Sequence, residues 1–172
     1  MKETVLVLGG CRSGKSRYAL TLASRYRKKA FIATATPFDE EMRQRIRAHK
    51  RERRDEFITY EEPHAIGEAI RSLPSDIEVA VVDCLTVWLG NLWVKKGTIG
   101  LDTEEVKDFL TLLASPPCPL IIVSNEIGLG VVPPDPETRR FRDVAGGVNQ
   151  RVAALARRVF FMVGGIPLRV KG

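Results

Sequence analysis

Short apolar runs recur along the chain, and longer stretches rich in polar residues separate them. The runs cover residues 5–8, 30–33, 79–82 and 120–123. Each run is continuous rather than alternating, which is typical of strands in a parallel sheet that is covered on both faces. The pattern therefore predicts an α/β fold with strands over residues 4–8, 30–34, 77–83 and 120–124.

Helical spacing and helix-starting residues predict the elements that connect these strands. The predicted helices cover residues 15–27, 39–54, 64–73, 85–94, 103–114 and 138–157, and a short additional strand covers 57–60. Asp39 is suited to cap the second of these helices. Gly164 and Gly165 separate the last two apolar stretches, which predicts an antiparallel hairpin of residues 159–163 and 166–170.

The most specific signal lies directly after the first predicted strand. Residues 9–16 read Gly-Gly-Cys-Arg-Ser-Gly-Lys-Ser, which is the spacing of a phosphate-binding loop between a strand and a helix. The glycines let backbone N–H groups wrap around a phosphate, and the new helix presents its positive end to the same anion. The predicted nucleoside-triphosphate site comprises Gly9, Gly10, Cys11, Arg12, Ser13, Gly14, Lys15 and Ser16.

Residues near the ends of other strands are candidates for the same site. Lys15 is expected to reach the β- and γ-phosphates, and the Ser16 hydroxyl to hold Mg²⁺. Asp83 follows an apolar run at the end of a predicted strand. In phosphate-loop enzymes, an acid at this position approaches the Mg²⁺ ion. The alternative interpretation is that Asp83 is only a polar residue that ends the strand. Residues 34–36 follow the second strand at the edge where α/β sheets bind ligands. The Gly- and Pro-rich residues 125–133 form either a substrate loop or a plain connector.

Charge and composition narrow the class of protein. The 172 residues are 44% hydrophobic and 28% charged, which is ordinary for one soluble globular domain over residues 1–172. Three scattered cysteines are too few for a disulfide framework or a zinc site and fit a reducing cytoplasm. We expect no signal peptide and no membrane span.

The net charge of +6 is concentrated in one predicted helix. Residues 43–54 hold seven bases and one acid, which accounts for the whole excess. This segment predicts an anionic partner, either nucleotide phosphates or nucleic acid. Only Phe57 and Tyr60 lie nearby for base stacking, and no nucleic-acid recognition motif is present, so we expect no nucleic-acid partner.

Motifs beyond the phosphate loop resemble those of a single family along nearly the whole chain. They are Ile32-Ala33-Thr34-Ala35, Asp39-Glu40-Glu41-Met42, Arg45-Ile46, His49-Lys50, Thr59-Tyr60-Glu61-Glu62-Pro63, the loop 124–133, Phe141-Arg142-Asp143-Val144-Ala145-Gly146 and Val148-Asn149-Gln150-Arg151. This set resembles the bifunctional adenosylcobinamide kinase and adenosylcobinamide-phosphate guanylyltransferases of cobalamin biosynthesis. The loop 124–133 and the helical motifs are far more specific than the phosphate loop. Cys11 stands where the family often has Ala, and we expect little effect because this position contributes mainly backbone.

The resemblance implies a phosphate-loop NTPase fold with a RecA-like, mostly parallel sheet, and two reactions. A nucleoside triphosphate phosphorylates adenosylcobinamide, and GTP then donates GMP to the adenosylcobinamide phosphate. His49 matches the family's covalent guanylyl acceptor, and Lys15 is the expected electrostatic clamp. Met42, Ile46, His49 and Arg53 share one helical face. Neighbouring cations favour the neutral, nucleophilic imidazole and attract the triphosphate.

The resemblance also implies further contacts and an assembly. Nucleotide contacts are carried over by position to Thr34, Ala35, Thr36, Arg51, Glu52, Arg53, Arg54 and Glu61, in addition to Asp83. The expected ligands are Mg²⁺ at Ser16 and Asp83, with ATP and GTP as substrates, and the expected assembly is a homotrimer. The loop 125–133 and the helix around Arg142 and Asp143 are candidates for substrate contact or subunit packing. A small-molecule kinase without guanylyl transfer remains the nearest alternative.

Overall fold

A computed structural model describes residues 2–37, 39–53 and 56–172, without the side chains of Arg45, Ala48, His49 and Glu52. It contains a seven-stranded sheet of order β3-β2-β4-β5-β1-β6-β7. The strands are β1 (Thr4–Gly9), β2 (Lys29–Ala33), β3 (Ile58–Glu61), β4 (Val79–Asp83), β5 (Leu120–Asn125), β6 (Arg158–Val163) and β7 (Ile166–Lys171). All neighbours are parallel except β6 and β7. The predicted α/β class and the carboxyl-terminal hairpin are confirmed.

Six helices connect the strands in the described part of the chain. They are α1 (Lys15–Ala23), α2 (Glu40–Arg53), α3 (Ile66–Arg71), α4 (Leu85–Lys96), α5 (Glu104–Ala114) and α6 (Pro136–Leu155). The predicted cap of α2 is confirmed, because Asp39 Oδ1 accepts the Met42 N–H at 2.7 Å. By contrast, α3 begins two residues later than predicted. Glu62 accepts the backbone N–H groups of both His64 and Ala65 at 2.8 Å, which holds them in a turn before the helix.

Alternate side chains of the strands pack against helices on opposite faces of the sheet. In β1, Val5 and Val7 belong to the cluster that includes Ala19 of α1, whereas Leu6 belongs to the cluster beneath α3, α4, α5 and α6. Trp88 of α4 is fully buried in the second cluster, where its ring meets that of Phe109 at 5.4 Å. Burial on both faces explains why the strand sequences are continuous apolar runs.

The parallel strands place the chemically interesting segments at one edge of the sheet. The carboxyl ends of β1, β2, β4 and β5 carry the phosphate loop, residues 34–36, Asp83 and Asn125 respectively. Because all four strands run in the same direction, these ends lie side by side. In the described part of the chain, we find no helix that is both long and apolar enough to cross a membrane.

Candidate active site

The phosphate loop has the backbone conformation that its glycines predict. Gly14 has a φ of +90°, in the left-handed region that favours glycine, and its carbonyl accepts the Tyr18 N–H at 3.0 Å as α1 begins. A Cβ atom on Gly9 would lie 2.7 Å from Ser13 Oγ and 2.9 Å from the Met162 carbonyl oxygen. Gly14 is therefore required because of its backbone conformation, and Gly9 because a side chain would have no space.

Lys15 lies inside this loop and is only 7% exposed. Its ammonium group donates to the Gly10 carbonyl and, at 3.5 Å, to Ser13 Oγ. Burial lowers the pKa of Lys15, while nearby Cys84 and Asp83 oppose that shift. The ammonium group thus bonds to the loop itself, in the position from which a bound phosphate would take over as its partner.

Residues 11–17 line a cavity of about 560 Å³, which we call the phosphate-loop cavity. Ser16 and Asp83 both line it, so the fold brings the two predicted Mg²⁺ ligands to one site. No group of three or more His, Cys, Asp or Glu residues suited to a metal occurs among the residues that the structure describes. A hydroxyl and a carboxylate still suit Mg²⁺, which usually completes its shell with water and substrate phosphates.

The phosphate-loop cavity also includes residues that the sequence did not predict for the nucleotide site. Cys84, Asn125, Gly164 and Gly165 line its wall. The Gly165 N–H donates to the Ser13 carbonyl at 3.1 Å, so the turn of the β6–β7 hairpin touches the loop directly. The Gly-Gly pair indicated a turn, but only the placement of β6 beside β1 brings that turn to the nucleotide site.

A second cavity of about 340 Å³, the α2 cavity, lies between the sheet and α2. It is lined by Phe31, Ala33, Ala35, Pro37, Met42, Ile46, Lys50, Arg53, Glu61, Asp83, Cys84 and Val87. Asp83 and Cys84 therefore form a wall that both cavities share. A nucleotide whose phosphates occupy the loop can extend along this wall toward the α2 cavity.

Two basic side chains of α2, Lys50 and Arg53, line the α2 cavity. Arg53 is 6% exposed, and its guanidinium carbon lies 3.8 Å from the centroid of the Phe31 ring. Burial lowers the pKa of Arg53, and Asp83 and Glu61 oppose the shift. Lys50 Nζ lies 2.6 Å from Glu61 Oε1 in an exposed pair. Arg53 and Lys50 carry positive charge that suits a polyphosphate. Glu61 carries a carboxylate that could accept hydrogen bonds from the N–H groups of a nucleotide base.

The predicted nucleophile falls partly outside the described residues. The backbone of His49 lies in α2 between Ile46 and Arg53, which both line the α2 cavity, but its side chain is not described. The same holds for the side chain of Glu52 and for all of Arg54. Arg51 is exposed on α2 and is not among the residues that line the cavity.

Cys84 carries a thiol, a potential nucleophile, in the lining of both nucleotide cavities. Burial raises the pKa of its thiol to about 12, and the charge of Asp83 adds to this effect. The thiol is therefore protonated at neutral pH and a poor nucleophile.

Thr34 and Thr36 differ in what their side chains can do. Thr34 is fully buried; its hydroxyl donates to the Cys84 carbonyl at 2.9 Å and accepts the Cys84 N–H at 2.8 Å. The hydroxyl of Thr34 therefore joins the ends of β2 and β4. Ala35 lines the α2 cavity, and Thr36 beside it is half-buried. Nucleotide contacts by Thr34 and Thr36 stay predictions.

A third cavity of about 480 Å³, the α6 cavity, lies on the other side of the β1 and β5 ends. Its lining combines the loop after β5 with α6: Leu8, Glu126, Gly128, Arg142, Asp143, Gly146, Gly147, Asn149, Gln150 and Ala153. The structure thus brings together the two segments that the sequence left open between substrate contact and subunit packing. Beside this cavity, the loop exposes Leu129, Val131 and Val132.

Comparison with known proteins points to one family. The sequence model described as "Cobinamide kinase / cobinamide phosphate guanyltransferase" matches residues 5–170. The bifunctional adenosylcobalamin biosynthesis protein CobP of Pseudomonas aeruginosa is 43% identical over 168 residues, which cover 97% of this chain and 96% of that protein. The bifunctional adenosylcobalamin biosynthesis protein CobU of Escherichia coli K12 is 33% identical over 179 residues, covering 97% and 99% respectively.

Solved structures show a likeness in fold. The crystal structure of the RadB recombinase matches with a TM-score of 0.50 and 18% sequence identity, covering 92% of this chain and 73% of that one. At this identity the likeness concerns the fold alone. It agrees with the phosphate-loop NTPase fold and RecA-like sheet that the sequence predicts.

Proposed function

Because this chain belongs to the cobinamide kinase / cobinamide phosphate guanyltransferase family, we propose that it carries out two successive transfers to one acceptor. ATP or GTP first phosphorylates the hydroxyl of the aminopropanol arm of adenosylcobinamide. GTP then donates GMP to that phosphate, giving adenosylcobinamide-GDP and pyrophosphate. The observation that carries this proposal is the shared wall of Asp83 and Cys84, which joins the phosphate-loop cavity to the α2 cavity.

In the phosphoryl transfer, the loop positions the triphosphate and stabilises its charge. Lys15 exchanges its bonds to Gly10 and Ser13 for bonds to the β- and γ-phosphates. Mg²⁺ held by Ser16 and Asp83 would neutralise charge on the same phosphates. The acceptor hydroxyl releases its proton to solvent as its oxygen forms a bond to the γ-phosphorus. The bond from the γ-phosphorus to the β-phosphate oxygen breaks, and the nucleoside diphosphate leaves with the electron pair.

In the guanylyl transfer, we assign the covalent step to His49. A ring nitrogen donates its lone pair to the α-phosphorus of GTP, the bond to the β-phosphate oxygen breaks, and pyrophosphate leaves. An oxygen of adenosylcobinamide phosphate then attacks the same phosphorus and releases the imidazole. The placement of the His49 backbone between two residues that line the α2 cavity supports this role. Arg53 and Lys50 supply positive charge for the departing pyrophosphate.

The test is covalent labelling with GTP that carries the label on its α-phosphate, with Mg²⁺ and without cobinamide. We expect denatured wild-type protein to keep the label, and we expect acid but not base to release it, as for a phosphoramidate. His49→Ala should carry no label. His64→Ala is the matched control, because His64 is the only other histidine in the chain and lies outside both nucleotide cavities.

The alternative outcomes separate the two functions. If wild type and His49→Ala are labelled equally, His49 is not the nucleophile. If neither is labelled although the wild type phosphorylates cobinamide, the covalent step is refuted and a kinase without guanylyl transfer becomes the favoured function. Loss of label in His64→Ala as well as His49→Ala would indicate that the loss reflects folding rather than a lost nucleophile.

We also propose a homotrimer that works in a reducing cytoplasm. The apolar side chains of Ile166, Leu168 and Val170 alternate along the edge strand β7 and are 71%, 59% and 64% exposed. An exposed apolar edge strand is a surface that folded proteins normally cover, which favours a subunit contact here.

The three cysteines are all free thiols, which supports a reducing compartment.

A further inference from the structure

The α6 cavity has a polar lining and shares no lining residue with the phosphate-loop cavity or the α2 cavity. Glu126 and Asp143 provide carboxylates, and Arg142 and Gln150 provide N–H donors. One guanidinium nitrogen of Arg142, Nη1, is buried without a hydrogen-bond partner among the residues that the structure describes. Buried donors are nearly always paired, so an unpaired one in the lining of a cavity favours an acceptor on a bound ligand or an ordered water.

The floor of the α6 cavity is built to hold its shape. Asn149 is 5% exposed, and its Nδ2 donates to the Asn125 carbonyl at 3.0 Å. Glu126 Oε1 accepts the Gly128 N–H at 2.9 Å. These bonds tie α6 to the end of β5 and fix the first turn of the loop that follows.

The α6 cavity adjoins the phosphate-loop cavity at the ends of β1 and β5. Asn125 lines the phosphate-loop cavity, while the next residue, Glu126, lines the α6 cavity. The Glu126 N–H donates to the carbonyl of Gly9, the first residue of the phosphate loop, at 3.1 Å. A ligand in the α6 cavity therefore lies beside the loop that holds the phosphate to be transferred.

We propose that the α6 cavity binds the phosphoryl acceptor, a cobinamide, by the carboxamides of its side arms. This inference rests on the proposed function for the identity of the acceptor. Each carboxamide has a carbonyl that accepts and an NH₂ group that donates. Arg142 and Gln150 match the carbonyls, and Glu126 and Asp143 match the NH₂ groups. Arg142 is the anchor, because the ligand supplies the acceptor that its Nη1 lacks.

The size of the cavity and the adjacent loop define how the acceptor lies. A volume of about 480 Å³ accommodates side arms but is too small for the whole corrin macrocycle. The macrocycle then rests outside, against the loop where Leu129, Val131 and Val132 are 78%, 94% and 59% exposed. An apolar patch beside a polar cavity matches a molecule that has an apolar ring face and an amide-bearing rim.

Equilibrium dialysis with cobinamide, without nucleotide, tests the site separately from catalysis. Arg142→Ala should weaken cobinamide binding at least about tenfold, because a charged hydrogen bond to the ligand is lost. Gln150→Ala, a substitution at an exposed position that contributes no core packing, should weaken cobinamide binding about threefold. Arg140→Ala is the control, since Arg140 is exposed on the same helix and does not line the cavity.

A second readout separates a binding role from a structural one. In the kinase reaction, Arg142→Ala should raise the KM for cobinamide and leave the KM for the nucleoside triphosphate unchanged. Equal binding of cobinamide by wild type, Arg142→Ala and Gln150→Ala would overturn the inference, and so would a parallel rise in both KM values. Absence of guanylylated wild-type protein would instead overturn the proposed function, while the dialysis result still decides the site.

A substitution in the loop that follows β5 tests the placement of the macrocycle independently. Val131→Ser should weaken cobinamide binding while sedimentation of the protein is unchanged. Unchanged cobinamide binding together with altered sedimentation would overturn this placement of the macrocycle and assign the loop to a subunit contact.

Discussion

Thr34 shows how a single hydroxyl holds two parts of the active site together. Its bridge to both backbone groups of Cys84 joins β2 to β4, immediately beside Asp83. We expect Thr34→Val, which is nearly isosteric, to leave the Cys84 N–H unpaired and to lower the free energy of unfolding by about 1–3 kcal/mol. Urea denaturation measures this loss. The wall shared by the two nucleotide cavities should loosen along with it.

Thr59→Val is the control at the residue scale. Thr59 is exposed on β3, where the same substitution should change stability by no more than about 0.5 kcal/mol. If Thr34→Val proved as stable as Thr59→Val but weakened GTP binding, the hydroxyl would contact the nucleotide instead of bracing the strands.

At the scale of elements, the β6–β7 hairpin and the phosphate loop depend on each other. Gly165 has a φ of +86° and donates to Ser13. Gly165→Ala should lower stability by about 1 kcal/mol, because a Cβ atom is strained at that φ. It should also weaken nucleotide binding about fivefold, the equivalent of roughly 1 kcal/mol, because Ser13 loses its support. Titration with a fluorescent GTP analogue measures the second effect.

Gly97→Ala is a matched control for this coupling. Gly97 has a φ of +75° at the end of α4, and a Cβ atom there, as on Gly165, would meet nothing within 4 Å. The backbone strain is therefore similar, but Gly97 does not touch the phosphate loop. Equal nucleotide affinities of the two variants would refute a role for the hairpin turn.

Local patterns predict elements well in this chain and their long-range placement poorly. The phosphate loop, the buried strands and the Asp39 cap each depend on a few consecutive residues, and the structure confirms them. The predicted helix start at His64 is wrong, because Glu62 accepts the N–H groups of His64 and Ala65 and holds them in a turn before α3. The contact of Gly165 with Ser13 required the strand order, which periodicity does not encode.

The same distinction applies to the candidate site. The spacing of the phosphate loop identified Lys15 and Ser16, and the end of an apolar run identified Asp83; the structure places all three at one cavity. The α6 cavity could not be predicted as a cavity, because its two halves are separated by about a helix length of sequence. What each of these residues binds stays a prediction until ligands are tested.

At the scale of the whole molecule, the edge strand β7 should determine the assembly. Leu168→Lys places a charge in the centre of the exposed apolar row and should dissociate a trimer, whose mass is three times 19.2 kDa, into monomers. Sedimentation equilibrium measures the mass. Val94→Lys is the control, because Val94 is 86% exposed on α4 and is not part of that row. A trimer that survives Leu168→Lys must be held by another surface.

The phosphate loop lies at the carboxyl ends of the parallel strands, so the amino ends of these strands are available for attaching the protein to a surface. Residues 72–78 and 115–119 connect to the amino ends of β4 and β5, at the opposite edge of the sheet from the phosphate loop. Ser75 is exposed there and lines none of the three cavities. A tether attached at this position would immobilise the protein and leave the three cavities open to the solution. The topology that gathers the chemistry at one edge therefore makes the other edge available for oriented biosensor attachment.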